Sequence, residues 1–113
     1  MKLYYFDIYG RAESIRMLAA HAKLPLENVF VTGESLAELK SKGVLDFGQV
    51  PMLEVDGKNL AQSWAILRFL GRQNGYYPAD AETAYRVDST IDAVEDYLTN
   101  YFKFSFEADA DRK

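Results

Sequence analysis

The segment 47–70, "FGQVPMLEVDGKNLAQSWAILRFL", constrains the fold more tightly than any other stretch of this chain. Its short apolar run "MLEV" reads as a strand and is preceded at once by Pro51. Proline has no N–H to give to a ladder, so it opens a strand or lies on an edge. Asp56-Gly57 is a favoured pair for a tight hairpin turn, and "MLEVDGKNL" therefore reads as two antiparallel strands. A polar pair, Gln62-Ser63, then opens "SWAILRFLGRQNG", whose apolar residues cover more than one stripe. A helix patterned in this way is buried on two sides.

Upstream, "KLYYF" at 2–6 is a short aromatic strand that Gly10 ends. Alternation places Leu3 and Tyr5 on one face and Tyr4 and Phe6 on the other. "RAESIRMLAAHAKL" has Ile15, Leu18, Ala19 and Ala22 at helical spacing, and Pro25 is expected to stop it. "ENVFV" at 27–31 is a second strand. "SLAELKSKG" at 35–43 is a short helix with Ser35 as its cap and Gly43 at its C-terminal end. After "NGYYPAD" a long helix begins at Ala81, with Val87, Ile91, Val94, Leu98 and Tyr101 on one stripe and Phe102, Phe104 and Phe106 widening it. The order is β-α-β, then α, then β-β-α, then a long helix. The crossover makes the first two strands parallel, and the hairpin adds an antiparallel pair.

Composition narrows the function classes. The net charge of −4 argues against nucleic acid or an anionic membrane as the main partner, since both select basic surfaces. No apolar run approaches the roughly 20 residues of a membrane span. The opening "MKLYYFDIYG" is too short and too polar for a signal peptide, and a cytoplasmic location is expected. There is no cysteine, which removes disulfides, thiolate zinc sites and a cysteine nucleophile. His21, alone among alanines in a helix, reads as structural, and no metal is expected.

The motifs "KLYYFDIYGRAESIR", "FGQVPMLEVDG" and "LAQSWAILRFLG" together resemble cytosolic glutathione transferases of the tyrosine type, most closely the sigma class. The likeness runs from residue 1 to about 104. It implies an α/β, thioredoxin-like N-terminal domain at 1–74 in the order βαβ-α-ββα, a linker at 75–80, and at 81–113 the start of an all-helical domain. The chain thus resembles about the first half of a transferase subunit.

The resemblance assigns roles residue by residue. Tyr5 stands at the position of the catalytic tyrosine. Glutathione attacks as a thiolate, and an unperturbed thiol with pKa about 8.5 is mostly protonated at neutral pH. A hydroxyl that donates to sulfur favours the charged form. A phenol, ionising near about 10, keeps its proton while doing so. Without the following "GRAE", Tyr5 reads first as one more strand aromatic. Tyr4 is its rival but faces the other side of the sheet, and Tyr9 is close by in the loop. Arg11 matches an arginine that adds positive charge near the sulfur; its plainer role is a surface charge. Glu13 suits the first turn of a helix. Val50-Pro51 matches a cis-proline turn that leaves the Val50 N–H and C=O to pair with an extended peptide. The alternative is an ordinary trans proline at a strand start. Gln62 and Ser63 open a helix whose first turn is an anion site for the γ-glutamyl carboxylate, or else a plain cap. Lys40 and Gln49 match contacts to the glycyl end. Gln49 often is a lysine in the sigma class, and Leu36 often a tryptophan, so the glycyl contact is altered here. Trp64 reads as core. Asp96 aligns with the acid that reaches a partner chain's glutathione in a two-fold dimer, and is otherwise a solvated helix charge beside Asp92 and Glu95.

Two function classes follow. One is an enzyme that transfers glutathione to an electrophilic small molecule in detoxification. The other is a glutathione-binding or protein-interaction module on the same fold, without turnover. A dithiol oxidoreductase on this fold is excluded by the lack of cysteine.

Overall fold

The computed structural model describes residues 1–105 of the 113. The chain divides into two compact units, Met1–Tyr77 and a second beginning at Pro78. The first contains β1 (Lys2–Tyr5), a 3₁₀ turn (Gly10–Ala12), α1 (Glu13–His21), β2 (Glu27–Phe30), α2 (Gly33–Ser41), β3 (Met52–Val55), β4 (Lys58–Ala61) and α3 (Ser63–Gln73). The second contains α4 (Ala81–Ser105). Phe106, expected on the α4 stripe, lies outside the described residues.

The strands form one sheet in the order β2-β1-β3-β4. β1 and β2 are parallel, whereas β1 with β3 and β3 with β4 are antiparallel. The mixed α/β sheet is the one expected from the order of elements, and its thioredoxin-like arrangement is the one the resemblance implies. The hairpin between β3 and β4 turns at Asp56 and Gly57, both at positive φ (49° and 76°), the backbone that matches the twist of the flanking strands.

Alternation holds within β1, which ends at Tyr5, whereas Phe6, expected beside Tyr4, lies past the strand and packs against the core. Leu3 and Tyr5 are buried and join Ala12, Ile15, Leu53, Ile66 and Leu70 in one core on the face covered by α1 and α3. Each fully buried leucine or isoleucine there contributes about 1.5–3 kcal/mol. Tyr4 points to the opposite face. A groove of about 110 Å³ lies there between Tyr4 and Val29 of the sheet and Ser35 and Leu39 of α2.

Three local expectations are corrected. Residues 10–12 form a 3₁₀ turn, so the helix proper starts at Glu13. It ends before Pro25 is reached, because Lys23 turns left-handed (φ 57°) and the Lys23 and Leu24 N–H groups donate back to the Ala20 and Ala19 carbonyls at 3.2 and 2.8 Å. That closure satisfies the last carbonyls, as in a Schellman motif. The cap of α2 is Thr32, not Ser35. The Ser35 N–H donates to Thr32 Oγ1 at 3.2 Å and the Thr32 N–H to Ser35 Oγ at 2.8 Å, a reciprocal capping box.

Candidate functional site

Strand register decides which residues meet. β1 runs toward Tyr5. β3, antiparallel to it, begins with Met52 opposite Tyr4. β4, antiparallel to β3, ends with Ala61 opposite Met52. Tyr5, Val50-Pro51 and Gln62-Ser63 therefore lie at one end of the sheet, across neighbouring strands about 5 Å apart.

Tyr5 is buried except for 7% of its surface. Its hydroxyl oxygen accepts from the backbone N–H of Arg11 at 3.0 Å. The chain reaches this position through Gly10, at φ 43°. A Cβ at Gly10 would overlap the Tyr5 hydroxyl and stand 2.8 Å from its Cε2, so only glycine lets the loop come this near. With its oxygen already accepting, the hydroxyl keeps its own proton to donate elsewhere. Tyr4 differs. It donates to Glu54 Oε2 at 3.2 Å on the other face. Burial first, and then Glu54, push the Tyr4 phenol above its ordinary value.

The Val50-Pro51 bond is cis and Pro51 is buried. Among the described residues, the backbone N–H and C=O of Val50 have no backbone partner. Gln62, just after β4, has φ 73° and ψ 113°, a conformation that side chains rarely adopt. It precedes α3, and no side chain caps that helix. The opening N–H groups of α3 have no carbonyl one turn earlier to receive them, which makes an anion-attracting end. Ser63 is the first residue of α3 and only 6% exposed.

Among the described residues, Lys40, Gln49 and Leu36 are not joined to Tyr5, Val50 or Ser63 by a hydrogen bond. Lys40 and Gln49 are exposed and, among the described residues, make no side-chain hydrogen bond. Leu36 is half-buried on α2. Asp96 is exposed on α4, in the second unit. Trp64 is half-buried rather than core, because at its place in α3 the buried side is taken by Ser63, Ile66 and Leu70. His21 is exposed and packs edge-on to Tyr76, their ring centroids 5.4 Å apart. Among the described residues, no group of three or more metal-capable side chains occurs, and no helix is long and apolar enough to cross a membrane.

Two participants escaped the sequence reading. Gly10 reads from the sequence only as a strand terminator, although a glycine in the loop that follows a strand can also mark a close backbone approach. Arg16 was unassigned; its spacing from Glu13 announces an i,i+3 pair, which forms at 3.3 Å. Nothing in the sequence announces its bonds to loop carbonyls.

The family model described as "Glutathione S-transferase, N-terminal domain" matches residues 1–72. Among curated proteins, the chain is 38% identical to glutathione S-transferase alpha-4 of Rattus norvegicus over 113 residues, 99% of this chain and 51% of that protein. Among solved structures, a nu-class transferase of Haemonchus contortus is 41% identical with a TM-score of 0.80, covering 91% of this chain and 50% of that one. A transferase described as monomeric, from the hookworm Necator americanus, is 37% identical with a TM-score of 0.81, covering 91% of this chain and 49% of that one. The chain thus spans about half the length of the relatives it matches.

Proposed function

The chain belongs to the glutathione transferase family, and from that premise we propose that its first unit binds glutathione and that Tyr5 stabilises the bound thiolate for attack on an electrophilic small molecule. The observation that carries this reading is the Arg11 N–H donating to the Tyr5 oxygen at 3.0 Å. A donor on the phenol oxygen polarises the O–H bond, and the remaining proton is offered to sulfur. A hydrogen bond to the charged form of the thiol lowers its pKa. No cofactor beyond glutathione as co-substrate enters this scheme.

In this reading the tripeptide lies along the end of the sheet. Val50 pairs with its backbone as an added strand would. Pro51 carries Val50 into that position. Gln62, Ser63 and the uncapped start of α3 take the γ-glutamyl carboxylate. Lys40 and Gln49 serve the glycyl carboxylate, with Leu36 adding no donor there. The side chain of Arg11 adds positive charge beside the sulfur. Asp96 serves the site of a partner chain in a homodimer. The tyrosine-type, sigma-like assignment rests on the motifs around Tyr5; the relatives reported above carry alpha and nu class names. A detoxifying role and a cytoplasmic location belong to the same reading.

A second reading has one observation in its favour. These residues span about half the length of their relatives, so taken alone they supply about half of a transferase subunit. Binding without turnover is what that half gives if the electrophile is held by the other half. Retention of the purified chain on immobilised glutathione, followed by a thiol-conjugation assay, separates the two. Retention with turnover supports the enzyme, retention without it supports the module, and no retention contradicts both.

A further inference from the structure

Arg16, on α1, holds several acceptors at once. Its Nε donates to Asn28 Oδ1 at 2.9 Å, Nη1 to the Ile8 carbonyl at 2.7 Å and to Glu13 Oε1 at 3.3 Å, and Nη2 to the Phe6 carbonyl at 3.3 Å. Its guanidinium carbon is 5.8 Å from the Tyr5 ring centroid and 5.9 Å from that of Phe30. One side chain therefore joins the exit of β1, the loop after it, the first turn of α1 and the edge strand β2.

Much of the loop's side-chain surface is open. Ile8 is 51% and Tyr9 78% exposed. A hollow of about 500 Å³, lined by Asp7, Ile8, Tyr9, Arg16, Asn28 and Phe30, lies alongside. Within the loop itself, the Ile8 N–H donates to the Phe6 carbonyl at 2.8 Å. The Arg11–Tyr5 bond spans this same loop. Tyr5 is at its start, and Arg11 is in the 3₁₀ turn that leads into α1. Whatever sets the path of residues 6–10 relative to α1 sets the length of that bond. Arg16 is rooted in α1 and grips the carbonyls of residues 6 and 8. A planar guanidinium can hold these diverging acceptors together; a lysine ammonium on its flexible stem cannot reproduce that fork.

We infer that Arg16 is a positioning residue that holds the Arg11 N–H on the Tyr5 oxygen, and through that bond governs how well Tyr5 stabilises a bound thiolate. The second clause rests on the glutathione reading above. The first does not.

The test uses Arg16→Lys and Asn28→Ala, the latter on the exposed strand edge, where it removes only the Nε acceptor. Amide hydrogen exchange by NMR in the ligand-free protein reads the first clause. In both variants the Arg11 N–H should exchange about 10-fold faster relative to the central β3 amides, approaching its rate in Tyr5→Phe. Ultraviolet titration of bound glutathione reads the second. The thiol pKa should move toward the Tyr5→Phe value, and Arg16→Lys should add little in a Tyr5→Phe background, since both changes act on one bond. Unchanged Arg11 exchange overturns the inference. So does faster exchange with a wild-type thiol pKa, or full additivity with Tyr5→Phe. If Arg16→Lys does not fold, Asn28→Ala decides by the same criteria. If the wild-type protein holds no thiolate, the glutathione reading fails and Arg11 exchange alone decides the positioning role.

Discussion

Gly10 lies against the Tyr5 ring so closely that a Cβ there would be 2.9 Å from Tyr5 Cζ. The contact and the Arg11 hydrogen bond are two aspects of one arrangement. The left-handed backbone at Gly10 (φ 43°) brings the next N–H onto the phenol oxygen.

Gly10→Ala should therefore damage both stability and the Tyr5 hydroxyl. A side chain in the left-handed region costs about 1–2 kcal/mol. Overlap with a buried ring adds about 1–3 kcal/mol. Reduced freedom of the unfolded chain offsets about 0.4–1 kcal/mol of this. The expected net loss is roughly 1.5–4 kcal/mol in denaturant melts. A variant as stable as wild type would show that the ring yields easily.

Much of this was legible in the sequence. Alternation in "KLYYF" put Leu3 and Tyr5 on the core face, and Asp56-Gly57 announced the hairpin whose register brings Met52 beside Tyr4. Topology then gathers Tyr5, Val50-Pro51 and Gln62-Ser63 without any side-chain detail. The misses concern residues whose conformation is set by their surroundings. Lys23 and Gln62 take positive φ, which neither residue type advertises. Thr32 and Ser35 are both able caps, and only the geometry of the turn chose Thr32. Arg16 acts through carbonyls, which carry no sequence signature at all.

Gln62 carries backbone strain at the mouth of the anion-attracting helix end. Such strain costs about 1–3 kcal/mol and is retained where it serves a site. Gln62→Gly relieves the Cβ part of it, against the entropy that glycine adds to the unfolded chain. The variant should melt no lower than wild type, with a gain of up to about 1 kcal/mol, and bind glutathione about 10-fold more weakly. Lower stability with unchanged affinity would contradict a functional origin for the strain.

Asp80 gives the second unit an acid-sensitive start. Its Oδ2 accepts from the backbone N–H and the hydroxyl of Thr83, both at 2.9 Å. The backbone bond first, and then the hydroxyl, hold the Asp80 carboxyl below its ordinary value. A lowered folded value means that the contribution is complete above the unfolded value of about 3.9 and is lost as pH falls through the folded one. The protection of the Thr83 amide, measured against its intrinsic exchange rate at each pH, should therefore fall only below about pH 4. In Asp80→Asn this pH dependence should vanish; its persistence would assign it to another group.

Helix α4 leaves Val94, Tyr97, Tyr101 and Phe104 exposed, with Tyr97 and Tyr101 stacked at 6.3 Å. Burying a large apolar side chain gains about 1.5–3 kcal/mol, against about 5–15 kcal/mol for the whole stability of a small domain. Sedimentation of the purified chain at micromolar concentration should show self-association; a stable monomer would sink this expectation.

The central claim is that Tyr5 stabilises a glutathione thiolate, and ultraviolet titration of the bound thiol in wild type and Tyr5→Phe tests it most directly. Loss of a hydrogen bond to a charged group costs about 1.5–3 kcal/mol. At 1.36 kcal/mol per unit, the bound thiol's pKa should rise by about 1–2 units in Tyr5→Phe, with affinity for the protonated thiol nearly unchanged. The same thiol pKa in both proteins would contradict the account.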